Sequence, residues 1–249
     1  HSTCDPDFAP EKALHHLLQV FQQCSAILVH SVNDLNRLKQ IGLVTNVSLF
    51  PLAIMPMPLI EQGPEYIIAE PQLLQALQNP DTFVLASYGF FLPHKGLVEL
   101  IHTMGELLAQ GLSCHLLMLN AQYPADASAQ AIVQAQRAIR DLGLSANITL
   151  KTDYLDDATS LAYLKQAELI VFPYQATGEA ASAAARHGIT TGQPVAITPL
   201  AIFDDIKDIC HRLPGTDVAD LRTGLQSLIP QIKARAPAIA ATAEKQARW

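Results

Sequence analysis

The sequence has no basic stripe, no CxxC pair, no HExxH helix and no unbroken apolar run of membrane-spanning length, and each absence removes a class of function. Its 16 basic residues are outnumbered by 23 acidic ones for a formal charge of −7, and they are nowhere dense enough to neutralise a run of phosphates, so nucleic acid is not an expected partner. The four cysteines, Cys4, Cys24, Cys114 and Cys210, lie far apart. Cys24 and Cys114 sit in apolar surroundings and read as buried free thiols, which points to a reducing cytoplasm. His30, His102, His115 and His211 show no metal-ligand spacing, and no metal is expected. The stretch from Ile41 to Ile60 carries no charge, yet Gly42, Asn46, Pro51, Pro56 and Pro58 interrupt it. It predicts a strand and a proline-rich connection rather than a transmembrane segment. Signal peptide and initiator methionine are both missing, and a chain beginning at His1 reads as an excised or processed piece.

What is present is enough apolar material for a core, 49% of 249 residues, arranged in an alternating pattern. Leu14, Leu17, Leu18 and Phe21 mark a helix. The compact run Ala26–His30 marks a strand, and Ser31 or Asn33 can cap a helix that Gly42 closes. Val47–Leu52, Phe83–Ser87, His115–Leu119, Ile148–Leu150, Leu169–Phe172, Pro194–Thr198 and Ile209–Leu213 read as further strands. Helices are predicted at Pro71–Leu77, Lys95–Gln110, Asp126–Leu142, Thr159–Gln166 and from about Ala180 to Thr190. A helix pair follows from Asp217 to Trp249, with Leu221, Leu225, Leu228 and Ile232 at helical spacing. Short apolar strands alternating with helices specify an α/β fold, a doubly wound parallel sheet covered on both faces. Ligands of such sheets bind at the carboxyl ends of the strands.

Two of those strand-end segments carry chemistry. The first, Ser87-Tyr-Gly-Phe-Phe-Leu-Pro-His-Lys-Gly96, sets Lys95 in the first turn of a helix, where unpaired N–H groups and a full positive charge suit a diphosphate. The alternative is a solvated lysine beside a turn glycine. The second, Gly178-Glu-Ala-Ala-Ser-Ala-Ala-Ala-Arg-His-Gly188, places Glu179 before a helix of small residues whose backbone a ligand can approach, with Ser182 in the first turn. The alternative is an acid favouring a helix start and alanines that merely form helix.

Taken together, Pro93-His-Lys-Gly96, Glu179 and Thr191-Gly-Gln-Pro-Val-Ala196 resemble the retaining GT-B glycosyltransferases (group 1), with their Lys-Gly loop, Glu-x₇-Glu motif and Gly-x-Pro-Val. Ile27–Leu35 with Leu38 and Gly42 looks like the last strand and helix of that family's N-terminal domain. The resemblance implies the Rossmann-like C-terminal half of a GT-B enzyme at 51–249 and a remnant of the acceptor-side domain at 1–50. It further implies hexosyl transfer from a nucleoside diphosphate sugar, as substrate and without a metal cofactor, to a glycan or lipid-linked glycan. Such a protein would work in the cytoplasm or at the inner face of the membrane, and an isolated piece of it would be inactive. Glu179 would act as the catalytic residue at the sugar's hydroxyls. Lys95 and the backbone at Ala181, Ser182 and Ala183 would hold the donor's phosphates, and Gly89 would belong to the same nucleotide-sugar site. The sequence departs from the family at two positions: Phe90 stands where an arginine is usual, and His187 stands at the second glutamate, the ribose ligand. Arg186 could supply the missing cation or be a solvated helix residue, and His187 could meet the ribose or simply pack. A sugar-nucleotide epimerase of the same architecture and a non-catalytic sugar-nucleotide-binding or assembly domain are the competing functions.

Overall fold

The computed structural model describes residues 14–54 and 70–246. His1, Cys4, the Pro56–Pro58 part of the connection and Trp249 lie outside the described residues. The elements in chain order are α1 (Leu14–Gln23), β1 (Ile27–Val29), α2 (Val32–Gln40), β2 (Val47–Leu49), α3 (Pro71–Gln78), β3 (Phe83–Phe91), a 3₁₀ turn (Pro93–Lys95), α4 (Leu97–Ala109), β4 (Cys114–Gln122), α5 (Asp126–Asp141), β5 (Ile148–Lys151), α6 (Asp157–Leu164), β6 (Leu169–Phe172), α7 (Ala183–Thr190), β7 (Val195–Ile197), β8 (His211–Arg212) and α8 (Val218–Gln246).

Six strands form one parallel sheet in the order β5-β4-β3-β6-β7-β8. The predicted doubly wound α/β fold is what the chain adopts. One face packs Leu85, Leu116, Met118 and Val171 against α4, α5 and α8. The other packs Val84, Leu117, Ile170 and Phe172 against α3, α6 and α7. Burial on both faces explains why these strands are apolar at consecutive positions rather than at alternate ones. A separate two-stranded parallel sheet, β1-β2, carries its own small core of Val29, Leu38, Leu43 and Val47. Its other face leaves Leu28 exposed, and at the end of the ribbon Leu49 and Phe50 are exposed as well.

Several boundaries differ from the sequence reading. β3 runs on past Ser87 to Phe91, in register with β4 as far as Phe91 opposite Gln122, because Gly89 at φ +120° lets the strand turn without leaving the ladder. α4 begins at Leu97, so Lys95 lies in the preceding 3₁₀ turn rather than in its first turn. α7 begins at Ala183, with Ser182 as its cap rather than a first-turn residue. The expected helix pair at the C-terminus is one helix of 29 residues. It continues through Pro230 because Leu221, Leu225, Ile229 and Ile232 are buried in the core on both sides of that residue, offsetting an interior proline's penalty of about 3 kcal/mol. Cys114 is buried as expected, whereas Cys24 is exposed at the end of α1. No helix among the described residues is long and apolar enough to cross a membrane.

Candidate functional site

From β3 the chain winds outward through β4 and β5, then returns to place β6 on the other side of β3. The crevice where winding reverses lies at the carboxyl ends of β3 and β6, and two loops meet there, Leu92–Gly96 and Pro173–Ser182. Gln175 stitches them together: its N–H donates to the His94 carbonyl (2.8 Å), and its side-chain amide donates to the carbonyls of Pro173 (3.1 Å) and Thr216 (2.8 Å). Gly96 permits this approach, since it adopts φ +67° and a Cβ there would run into the Pro173 carbonyl.

Lys95 Nζ donates to Glu179 Oε2 at 3.0 Å and lies 3.9 Å from the centroid of the Tyr174 ring. The Lys95 side chain is only 11% exposed, against 45% for Glu179. The Tyr174 hydroxyl in turn lies 3.1 Å from Ser182 Oγ, which accepts the Ala185 N–H at 3.1 Å and so caps α7. One buried tyrosine therefore fixes both the lysine and the start of the helix. The leading N–H groups of α7 point toward the same crevice as the ammonium, by helix geometry.

His94 Nε2 lies 3.5 Å from Glu179 Oε1, within ion-pair reach but long for a hydrogen bond. The His94 side chain first, and Lys95 after it, hold the Glu179 carboxyl down at about 2, with partial burial opposing them. A folded value below the ordinary 4.5 means that this contribution to stability is complete above pH 4.5 and is lost as pH falls toward 2. Denaturant titrations between pH 2 and 5 are expected to show a shallower acid limb for Glu179→Gln than for the wild type. Identical limbs would mean that the His94–Glu179–Lys95 cluster does not form in solution.

Of the residues singled out in the sequence, Gly89, Lys95, Glu179, Ala181, Ser182 and Ala183 come together here. Gly89 is needed for packing, since a Cβ would stand 3.1 Å from that of Ala184 and would push α7 off β3. Arg186 is directed elsewhere. Its Nε donates to the Leu52 carbonyl (2.7 Å), its Nη1 to the Ser182 carbonyl (3.0 Å), and its Nη2 pairs with Asp205. The guanidinium, 4% exposed, is occupied by the protein, which removes it as a free cation for phosphate. His187, in the last turn of α7, stacks on Tyr88 with centroids 5.0 Å apart, and its Nε2 lies 3.7 Å from Asp157.

Sequence reasoning missed His94, Tyr174 and an aromatic group at the ends of β3, β4 and β5. Phe90 meets Tyr123 edge-on at 5.2 Å and Tyr154 in a stacked arrangement at 6.3 Å, and all three rings are exposed. They come from three separate strand ends, so no local motif announces them. Toward the two-stranded sheet, a recess of about 350 Å³ is lined by His30, Ser31, Asn33, Leu49, Ala180 and Asp205, with His30 Nδ1 2.8 Å from the Phe50 carbonyl. Among the described residues no group of three or more His, Cys, Asp or Glu could hold a metal ion.

No family model matches the sequence and no curated protein matches it. Solved structures do match. A sucrose-phosphate synthase from Thermosynechococcus elongatus superposes with a TM-score of 0.69 at 16% identity, over 96% of this chain and 61% of that one. The fold is that of the GT-B glycosyltransferases. Another GT-B structure, HepE from Anabaena in complex with UDP and glucose, gives 0.67 at 16% identity over 94% of this chain and 64% of its own. The α,α-trehalose-phosphate synthase of Burkholderia xenovorans, in complex with glucose-6-phosphate, gives 0.69 at 13% over 85% and 54%. The chain thus spans little more than half to just under two thirds of the length of these GT-B proteins.

Proposed function

We propose that this chain is the donor-binding part of a retaining glycosyltransferase that moves a hexose from a nucleoside diphosphate sugar to a glycan or lipid-linked glycan. The observation that carries the reading is the Lys95–Glu179 contact, an ammonium and a carboxylate held 3.0 Å apart at the switch point, beside a capped helix start. Lys95 and the backbone at Ala181–Ala183, leading into α7, would neutralise charge developing on the departing diphosphate, the term on which such transfer chiefly depends. That arrangement needs no metal. Glu179 would receive the sugar's hydroxyls and set its orientation for attack. The base would lie on the Phe90–Tyr123–Tyr154 group, since any base offers a face for stacking. The recess at His30 and Ala180 supports the same reading as part of the wall on the acceptor side. With so much of a GT-B protein's length outside this chain, these 249 residues alone are expected to bind donor weakly and to transfer nothing.

Calorimetric titration with UDP and with UDP-glucose tests the roles. Lys95→Ala is expected to weaken both ligands by about 1.5–3 kcal/mol, the range for hydrogen bonds to charged groups, and melting curves read separately the stability lost with the Glu179 pair. Glu179→Gln is expected to leave UDP bound at least as well and to weaken UDP-glucose selectively. Equal affinity of the wild type and Lys95→Ala for UDP would sink the phosphate assignment. Unchanged discrimination between the two ligands in Glu179→Gln, accompanied by a stability loss of about 0.3–1 kcal/mol, would reduce that residue to a helix-start acid.

A further inference from the structure

A sugar nucleotide's diphosphate carries two negative charges, and the described residues offer few cations to meet them. Lys95 supplies one. Arg186 is bound to Leu52, Ser182 and Asp205, and Lys151, at the end of β5, is paired with Glu70. Phe90, exposed at the end of β3, brings no charge. His94 remains. Its backbone is fixed, because its carbonyl accepts the Gln175 N–H at 2.8 Å and the next residue's N–H closes the 3₁₀ turn on Leu92 at 3.0 Å. Its Nε2 is shielded from water, makes no hydrogen bond, and stops 3.5 Å short of a carboxylate oxygen.

A buried ring nitrogen in that position is incompletely satisfied, and an anion bridging Lys95 and the start of α7 would complete it. We propose that His94 is a second cationic ligand of the donor's diphosphate, binding it together with Lys95, so that protonation of its imidazole strengthens donor binding. The inference rests on the donor site proposed above. While the site is empty, Glu179 stands in for the anion, engaging both cations. When a donor arrives, the sugar's hydroxyls take the carboxylate and the diphosphate takes His94 and Lys95. The role is therefore read as a dependence of donor binding on pH.

Other charged groups on the elements around this turn are Lys95 itself, Glu179 from the β6 loop, Glu99 in the first turn of α4, Asp126 in the first turn of α5, and Asp217 beside Thr216 at the start of α8. Glu179, held down at about 2, stays charged from pH 5.5 to 8.5. His187 is the second histidine of the crevice and needs a control of its own.

The experiment measures affinity for UDP-glucose, whose diphosphate is doubly esterified and does not titrate in this interval, at pH 5.5, 7 and 8.5. Wild-type affinity is expected to fall at least about tenfold from the lowest pH to the highest, the equivalent of a one-unit shift in one group. His94→Gln should bind equally at all three values, close to the wild type at pH 8.5. His94→Arg should bind equally at all three, close to the wild type at pH 5.5, and His187→Gln should keep the wild-type slope. Melting curves confirm that each variant is folded. A wild-type slope that persists in His94→Gln, or that moves with His187→Gln, overturns the assignment while leaving the donor site standing. Failure of the wild type to bind UDP or UDP-glucose at any pH overturns the donor site and this inference with it.

Discussion

Gly96→Ala is expected to destabilise the protein by at least about 2 kcal/mol and to abolish nucleotide binding. Two effects add. An L-residue at φ +67° gives up about 1–2 kcal/mol, and the new methyl meets the Pro173 carbonyl, a backbone atom that cannot rotate away, at a further cost of about 1–3 kcal/mol for overpacking. Relief requires the Leu92–Gly96 and Pro173–Ser182 loops to part, which breaks the Gln175–His94 hydrogen bond and carries Lys95 away from Glu179. In a domain of this size each kcal/mol lowers Tm by about 2–4 °C. The control is Gly143→Ala, at the same φ of +67° but with open space around its Cβ, which isolates the backbone component. If the two variants melt together, the close approach of the loops is not real.

Arg186→Met is expected to lose about 3 kcal/mol in urea unfolding, at the lower end of the range for breaking a buried ion pair, because Asp205 keeps some contact with water. Its side chain is 24% exposed. The Leu52 and Ser182 carbonyls lose their donor as well. Adding Asp205→Leu should recover part of the loss, since the stranded charge is then gone. UDP affinity measured on the folded protein should be nearly unchanged. A residue that met the phosphates would show the opposite pattern, with affinity lost and stability kept, and that outcome would restore the alternative raised by its place in the sequence.

Much of the architecture was legible because strands buried on both faces must be apolar at nearly every position, and runs such as Leu169–Phe172 or His115–Leu119 have no other economical explanation. The boundaries that failed lie at the site. Tyr88–Phe91 contains a glycine and precedes Leu92-Pro93, so it looks like a loop, yet the ladder to β4 holds it as strand. Alanines on both sides of Ser182 carry no signal of where α7 starts, and only the hydroxyl's contact with the Ala185 N–H decides it. Lys95 and Glu179 could be picked out because a lysine beside a glycine and an acid before small residues are local patterns. His94 could not, since its meaning comes from Glu179, far along the chain. Arg186 likewise takes its role from Leu52 and Asp205, neither of which any spacing rule would connect to it.

The β1-β2 ribbon has a bearing on how the molecule fails. Parallel strands are normally covered on both faces, but here Leu28 is exposed on the uncovered face, Leu49 is exposed at the strand end and, among the described residues, each strand has a single hydrogen-bonded neighbour. Local opening is easiest where few apolar contacts oppose it, and an opened parallel ribbon presents unpaired edges that template association with other chains. Proteolytic nicking and aggregation should therefore begin at this ribbon, while the six-stranded sheet behind it is still intact.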